Sequence, residues 1–462
     1  MSSKKYERFR EKEEQEAPIL QLGSLNSEMV HQRSKTLRKI FRGEHNYLLS
    51  ALCVSFGMST WLPVNSVYSQ MPLLTQYAPE SWNLASYFSV VVQIANIAPL
   101  GYYFVRDRQW CPDSILICLF LLLGTLASCL LSFTYHIPVS IFGAQHSFFF
   151  FLFAFFLSMV GCVSSVLFLP FMGRLPEVYL VSFFIGEGIS GFIPSFLALL
   201  QGVAKDPVCI SVNVSGVVTK QEVMKEPLFS SGLFFFVIST IMLFNTLCFL
   251  YLNYFSNLMS KYSVKPKSPS NSEAINVNSS RNQETDEDPD IPKFLLIVLI
   301  VVVGIINCFS NGILPSIMSY SCLPYGPETY HWSLNINMII GPLSSYFAYF
   351  IPLVSVRLLA FCCIVEILCI NYELITAFTS PFPPLIGTDI GVVMIILVWM
   401  FGAGLISYIK LSIAAILRRR HKKALFNYGI STQIGSTIGA ILAFILIIYA
   451  NVLHSVPKKK CV

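Results

Sequence analysis

The sequence predicts an all-α polytopic membrane protein whose eleven transmembrane helices form two pseudo-repeated halves. Hydrophobic residues make up 54% of the 462 residues and charged residues only 12%, about half the charged share of a soluble domain. Apolar runs of about 20 residues, the length that spans a bilayer as a helix, recur along the chain. The predicted spans are roughly 47–69, 84–104, 114–134, 147–170, 179–201, 231–255, 293–315, 331–353, 355–379, 388–411 and 424–450.

The basic residues predict how these spans are oriented. If the N-terminus is cytoplasmic, the inner segments hold 25 of the 31 Lys and Arg residues, as the positive-inside rule requires. Residues 1–45 then form a cytoplasmic tail, and the odd number of spans places residues 451–462 outside. The predicted outer loops without Lys or Arg lie near 70–83, 135–146, 316–330 and 380–387.

One outer loop carries a modification signal. Asn213 starts an Asn-Val-Ser acceptor pattern in the predicted outer loop 202–230, so we expect a glycan at this residue. A second acceptor pattern starts at Asn278 but lies on the predicted inner side, where it should remain unmodified.

A polar stretch divides the chain into two bundles. Residues 256–292 are rich in Ser, Asn and Pro and end in an acidic run. Because such a composition cannot bury a core, we predict a disordered cytoplasmic linker. It separates a six-helix bundle at 46–255 from a five-helix bundle at 293–450.

The two bundles carry similar motifs near their starts. Aligning WLPVNSVYSQMP (61–72) with ILPSIMSYSCLP (313–324) matches five of twelve positions, including both prolines. Each motif ends a predicted span that runs from inside to outside at the beginning of its half. This pattern is typical of transporters whose repeats move against each other around a central site.

One acidic residue lies in the middle of a predicted span. Glu187, between Gly186 and Gly188, interrupts the apolar run 179–201. Because an ionisable side chain is costly in lipid, it normally faces the bundle interior or a wet cavity. Two interpretations remain open: Glu187 titrates or contacts a substrate, or it is a structural group neutralised by Arg174 or by a backbone donor.

Neutral polar and aromatic side chains recur inside spans 1, 2, 4, 5 and 7. Any one of them can serve as a hydrogen-bonding contact between helices, but their repetition favours a ligand cavity. A cavity that is rich in neutral donors, acceptors and aromatic faces suits an uncharged, planar, polyhydroxylated solute. The candidate residues are Trp61, Asn65, Gln70, Gln93, Asn96, Ser164, Phe168, Ser190, Asn311 and Ser316.

Several function classes lose support from the sequence. The glycines of 186–191 match G-x-G-x-x-G but lie in an apolar helix rather than after a strand. They therefore predict close helix packing, as do Gly435 and Gly439. The chain has no phosphate-binding loop, H-E-x-x-H or G-x-S-x-G motif, so we expect neither an enzyme nor a cofactor. The net charge of +6 follows the membrane topology and predicts no nucleic-acid partner.

Six stretches that cover both halves have long and unusual sequences. They are WLPVNSVYSQMP (61–72), SYFSVVVQIANIAPL (86–100), VSSVLFLPFMGRLP (163–176), FFIGEGISGFIPS (183–195), NGILPSIMSYSCLPYG (311–326) and SPFPPLIGTDIGVV (380–393). In these stretches the chain resembles the eukaryotic riboflavin transporter family of solute carriers. The resemblance implies uptake of riboflavin across the plasma membrane by facilitated or proton-influenced alternating access.

The resemblance also implies a fold similar to major-facilitator and equilibrative nucleoside transporters, and we expect a monomer in the bilayer. The family often has Glu where this chain has Gln70, so its response to pH is expected to differ. Transport of another neutral heterocycle, such as a nucleoside, stays open, as does a cell-surface receptor that moves nothing. The resemblance implies substrate-binding roles for Asn65, Gln93, Asn96, Ser164, Phe168, Glu187, Asn311 and Tyr325.

Overall fold

The computed structural model describes most of the chain between Asn46 and Ser455. The N-terminal tail, most of the linker 256–292 and residues 456–462 lie outside the described residues, as do the predictions made for them and for Asn278. The described ranges are 46–108, 110–141, 143–202, 208–214, 217–223, 227–256, 258–262, 293–350, 356–418 and 422–455.

In its described residues, the first half of the chain consists of helices and two short antiparallel hairpins. Its helices are α1 (Tyr47–Met58), α2 (Leu62–Tyr77), α3 (Leu84–Ile94), α4 (Ile97–Asp107), α5 (Asp113–Thr134), α6 (Phe148–Ser164), α7 (Phe168–Met172), α8 (Glu177–Gln201), α9 (Ser231–Leu250) and α10 (Leu258–Tyr262). A 3₁₀ turn at Ser81–Asn83 precedes α3, and a π-helical turn at Tyr251–Phe255 follows α9. The hairpins pair β1 (Val139–Ile141) with β2 (Ala144–His146) and β3 (Val208–Val214) with β4 (Val217–Val223).

The second half is helical throughout its described residues. Its helices are α11 (Lys293–Cys308), α12 (Leu314–Cys322), α13 (Pro327–Phe350), α14 (Val356–Phe378), α15 (Asp389–Arg418) and α16 (Lys422–Phe444). π-Helical turns at Phe309–Ile313 and Ile445–Tyr449 follow α11 and α16, and a 3₁₀ turn at Leu323–Tyr325 follows α12. The halves meet where α13 packs on α2 and α8, and where α12 and α16 pack on α3.

Eight helices in the described ranges are long and apolar enough to cross a membrane, or nine if the bent pair α1 and α2 forms one span. Two further predicted spans coincide with α6, an apolar helix of 17 residues, and α13, a helix of 24 residues. The protein is therefore a multi-pass helical membrane protein, as predicted. The total of eleven spans stays a prediction.

Both halves begin with a helix that is interrupted at the repeated motif. The first span bends by 51° between α1 and α2, and Leu62-Pro63 opens α2. In the second half, Leu314-Pro315 opens α12 directly after the π-helical turn. At Pro63 the missing N–H falls in the first turn of a helix, where it would have no intrahelical acceptor. Pro315 follows the π-helical turn without a break, so its missing N–H removes a bond from a continuous helical run. Both motif copies thus lie at an interruption of the first long span of their half, a sharp bend in one and a π-helical turn in the other.

Glycines allow two pairs of helices to approach closely. A Cβ atom at Gly186 of α8 would collide with the backbone oxygen of Val54 in α1. A Cβ atom at Gly439 of α16 would likewise collide with the backbone oxygen of Cys308 in α11. Small residues permit such direct backbone contact between membrane helices. The predicted close packing at these glycines is confirmed.

The connections differ most from the prediction, because the fold is mostly rather than entirely helical. The hairpin β3–β4 joins two runs rich in Val, Ile and Thr that are separated by two residues, Ser215 and Gly216. This spacing is a hairpin signal that the prediction did not use. The helix α2 also continues through Pro72 to Tyr77. A membrane bundle tolerates such a proline because neighbouring groups satisfy the freed carbonyl.

Candidate functional site

Two predicted site residues, Asn65 of α2 and Ser190 of α8, meet between these helices, and together with Trp61 and Glu187, one turn earlier on each side, we call them the Asn65 cluster. Asn65 Nδ2 donates a hydrogen bond to Ser190 Oγ at 3.3 Å, and Ser190 Oγ donates to the Glu187 backbone oxygen at 2.5 Å. Trp61 precedes α2 by one residue, and its ring lies 2.9 Å from the position of a Cβ at Gly161. Residue 161 must therefore stay small for the indole to sit there.

One of the two structural partners considered for Glu187 is engaged elsewhere. The proposed neutralising partner, Arg174, donates instead to Asp113 Oδ2 at 2.6 Å. Within the described residues, Glu187 has no Lys, Arg or His nitrogen within 4.0 Å. Its neighbour Gly188 lies against α13, since a Cβ there would be 3.5 Å from Pro342 Cβ. Glu187 is half-buried and is next in sequence to a glycine that lies where the two halves meet.

A second group of predicted residues meets between α3, the π-helical turn and α16, and we call it the Gln93 cluster. Asn96 Nδ2 donates to Gln93 Oε1 at 3.2 Å, and Thr437 Oγ1 donates to the same oxygen at 3.4 Å. Asn311 Nδ2 donates to Ser436 Oγ at 3.0 Å. The cluster consists of these five residues and links the two halves where α3 ends, at the break before α4.

Asn311 belongs to the π-helical turn Phe309–Ile313. Such turns are rare and are often found at functional sites. Its amide also donates to Asn307 Oδ1 at 3.1 Å, and the side chain itself is exposed. The turn therefore presents an amide group beside the contact between the halves.

Three predicted residues lie away from both clusters. Phe168 is fully buried, with its ring stacked on Phe56 at 5.0 Å between centroids, so neither face is open to a ligand in this conformation. Ser164 Oγ and Ser316 Oγ donate to the backbone oxygens of Gly161 and Gly312 in their own spans. These hydroxyls satisfy local carbonyl groups instead of meeting the clusters.

Gln70 and Tyr325 lie on the predicted outer side. Gln70 is fully buried, and its Nε2 donates to Gln201 Oε1 at 2.7 Å. Gln201 Nε2 in turn donates to the Phe229 backbone oxygen at 2.7 Å, which ties the ends of α2 and α8 to the start of α9. Tyr325 OH donates to the Pro384 backbone oxygen at 2.5 Å. In this conformation, both side chains fasten the end of a helix to a neighbouring segment.

Asn213, the predicted glycosylation site, is in strand β3. The backbone of this hairpin is described, whereas its side chains lie outside the described structure. The glycan therefore stays a prediction.

Polar contacts join the two halves on the predicted outer side. Ser319 Oγ of α12 donates to the Trp82 backbone oxygen at 2.9 Å. The adjacent Tyr320 OH donates to Asn83 Oδ1, and its ring packs edge-on against Trp82 with 5.6 Å between centroids. The turn between the first two spans is thus held against the beginning of the second half.

The structure adds polar residues that the sequence reasoning missed. Thr437 and Gln201 are partners of predicted amides: Thr437 lies in a stretch rich in Ser, Thr and Gly, and Gln201 ends an apolar run, so neither stood out as a candidate. Glu366 and Glu373 of α14 did carry a usable signal. Each is an acid inside an apolar run, the feature that singled out Glu187.

A groove of 530 Å³ lies apart from these clusters, between α11 and α16. Its walls include the partly exposed side chains of Ile305 and Ile434, which places it on the lipid-facing surface. It contains none of the predicted site residues. The polar clusters therefore define the candidate site better than this groove does.

Comparison with known proteins identifies the family. Residues 45–455 match the profile of solute carrier family 52, riboflavin transporter. A Danio rerio protein named solute carrier family 52, riboflavin transporter, member 3-A is 33% identical over 436 residues, covering 88% of this chain and 96% of its own. The Homo sapiens protein named member 3 of the same family is 32% identical over 451 residues, covering 87% of this chain and 96% of its own.

A solved structure of unrelated sequence shares the fold. A D-xylose-proton symporter superposes with a TM-score of 0.54 at 10% identity, covering 86% of this chain and 89% of its own. At this identity the similarity concerns the fold alone, and it agrees with the predicted major-facilitator-like architecture. The family and this structural neighbour are membrane transporters rather than enzymes. With a profile match over most of its length and two relatives above 30% identity, the chain belongs to the solute carrier family 52 of riboflavin transporters.

Proposed function

We propose that this chain carries riboflavin across the plasma membrane by alternating access. The observation that carries the proposal is the family match over residues 45–455, because the named relatives are riboflavin transporters. Riboflavin is a neutral vitamin with a flat three-ring system and a polyhydroxyl chain. The amides, hydroxyls and indole of the two clusters suit such a solute.

In this proposal, riboflavin binds between the Asn65 cluster and the Gln93 cluster. Trp61 offers a face for the ring system, while the amides of Asn65 and Gln93 bond to its polar edges. These amides bond to protein groups in the described conformation. Substrate would exchange those bonds for its own, which favours modest affinity and release rather than very tight binding.

The other predicted residues take indirect roles in the same proposal. Phe168, Ser164 and Ser316 hold the helices that carry the clusters. Gln70 and Tyr325 hold the predicted outer ends of their helices, which would have to separate when the outer side of the transporter opens.

Polar contacts between the two halves on the predicted outer side support alternating access. The contacts of Ser319 and Tyr320 with the turn 82–83 close one side of the contact between the halves. Opening that side requires these few neutral bonds to break, each of which is worth about 0.5–1.5 kcal/mol. This is a small cost for a movement that occurs in every transport cycle.

The topology completes the proposal. We infer eleven spans divided six and five, a cytoplasmic N-terminus, an extracellular C-terminus, a glycan at Asn213 and a monomeric transporter. A glycosidase-sensitive gel mobility that Asn213→Gln abolishes would support this orientation. A glycan that persists in that variant and disappears in Asn278→Gln would contradict it.

Uptake of labelled riboflavin into cells that express the chain tests the function. We expect saturable uptake that excess unlabelled flavin blocks and excess nucleoside does not. Protein at the cell surface is measured in parallel, so that poor expression is not mistaken for inactivity.

Two results would contradict the proposal. Uptake that nucleosides block and flavins do not would indicate a transporter of another heterocycle. Surface binding of riboflavin without internalisation would indicate a receptor.

A further inference from the structure

Helix α14 carries two buried carboxyl groups that the proposed riboflavin path does not use. Glu366 is 2% exposed and Glu373 is 1% exposed. They are seven residues apart, about two helical turns, so they share one face of α14. Glu373 Oε1 lies 3.2 Å and Glu366 Oε1 3.6 Å from the position of a Cβ at Gly402 in α15. The glycine thus leaves a small space that both acids line.

Neither acid has the partner that a buried carboxylate needs. Both oxygens of Glu366, and Oε2 of Glu373, lack a hydrogen-bond donor among the described residues. No Lys, Arg or His nitrogen in the same part of the chain lies within 4.0 Å of either group. An isolated carboxylate is too costly to bury in apolar surroundings, so such a group is neutralised instead.

The titratable groups that interact with the pair among the described residues are thiols, and the helices around it also carry Tyr320, Tyr372 and Tyr408; neither kind of group supplies a positive charge. Helices α12 and α15 pack against α14. The closest lysine along α15 is Lys410, eight residues from Gly402, which is about 12 Å along the helix axis. The neighbouring thiols are those of Cys363 and Cys369 on α14 and Cys322 on α12.

The pair is linked through α12 to the contact between the halves. Thr376, one turn after Glu373, has its Oγ1 2.7 Å from Ser321 Oγ. Ser319 and Tyr320 precede Ser321 in α12 and make the polar contacts with the turn of the first half. A change in how α14 packs on α12 would therefore shift Ser319 and Tyr320, whose contacts close the predicted outer side.

We propose that Glu366 and Glu373 form a proton-binding site in the second half, and that loss of a proton from it favours opening of the predicted outer side. When the pair is neutral, it packs against Gly402 as described here. When a carboxylate forms, it needs water, which a packed α14–α15 contact excludes. Protons taken up from an acidic outer solution then favour closure behind the substrate, so uptake should rise as the outer pH falls.

Infrared spectroscopy of the purified protein tests the proton site without requiring transport. At neutral pH, the wild-type protein should show the C=O absorption of protonated carboxyl groups. Glu366→Gln and Glu373→Gln should each reduce that absorption. The control Asp389→Asn, which removes an exposed carboxyl group at the start of α15, should leave it unchanged.

Two spectroscopic results would overturn the proton site. One is a wild-type spectrum without protonated carboxyl absorption, which is decisive even if the variants fail to fold. The other is absorption that both glutamine variants retain in full.

The effect on opening rests on the proposed function and is tested by riboflavin uptake at acidic and alkaline outer pH. The wild-type chain should take up more at acidic pH. The double variant Glu366→Gln/Glu373→Gln should bring the acid-to-alkaline uptake ratio to unity, whereas Glu373→Asp should preserve the dependence.

A wild-type chain with pH-independent uptake, or a surface-expressed double variant with the wild-type pH profile, would overturn the coupling. A wild-type chain that takes up no riboflavin at either pH would contradict the proposed function and the coupling. The infrared result would still decide the proton site.

Discussion

At the scale of single residues, the site depends on polar groups that meet across great distances in sequence. Gln93 and Thr437 are 344 residues apart and yet hydrogen-bonded at 3.4 Å. An amide in an apolar run is visible in the sequence, which is why Gln93 could be predicted. Thr437 could not, because a threonine hydroxyl is commonly satisfied by its own helix. The sequence thus indicates candidate groups but not their partners.

Removing one amide from either cluster should weaken transport. Asn65→Ala and Gln93→Ala each lose a neutral hydrogen bond worth about 0.5–1.5 kcal/mol. We therefore expect initial riboflavin uptake per surface molecule to fall about two- to tenfold in each variant. The measurement is uptake of labelled riboflavin, normalised to surface-labelled protein.

A matched asparagine provides the control. Asn371 of α14 is exposed, and its Nδ2 donates to the Ile367 backbone oxygen of its own helix at 2.8 Å. Asn371→Ala should transport like the wild type. If Asn65→Ala and Gln93→Ala also did so, the placement of riboflavin between the two clusters would be wrong.

At the scale of elements, the helices were predictable, and the prolines of the first and seventh spans predicted kinks there, but the form of each interruption was not predictable. The apolar run 114–134 became α5 almost residue for residue because length and hydropathy alone determine a membrane helix. The bend after Met58 and the π-helical turn after Cys308 depend on which helices pack alongside. No property of the local sequence contains that information. The prolines indicated only where interruptions are expected.

Close packing of α11 on α16 should depend on Gly439. In Gly439→Ala, the new methyl group meets the Cys308 backbone, and such overpacking costs on the order of 1–3 kcal/mol. We expect a lower Tm for the purified protein in detergent, measured by intrinsic fluorescence.

Gly429 is a control on the same helix. A Cβ at residue 429 has no neighbour within 4 Å, and alanine is preferred to glycine in helices by about 1 kcal/mol. Gly429→Ala should therefore keep or slightly raise the Tm. An equal Tm for the two variants would show that the α11–α16 contact is looser than described.

At the scale of the whole molecule, the fold class and family followed from composition and from a few unusual stretches. The relation between the halves could not be predicted. It depends on short contacts such as Ser319 with Trp82, which join residues 237 positions apart. The local sequence does not indicate which residues of the other half such a side chain will meet.

Counterflow in proteoliposomes tests most directly whether this chain alone carries riboflavin by alternating access. Purified protein is reconstituted into vesicles loaded with unlabelled riboflavin, and trace labelled riboflavin is added outside. We predict transient accumulation of label inside the loaded vesicles, and none in protein-free vesicles or after addition of excess flavin outside. Saturable binding of label that internal riboflavin does not stimulate would contradict alternating access and indicate a receptor.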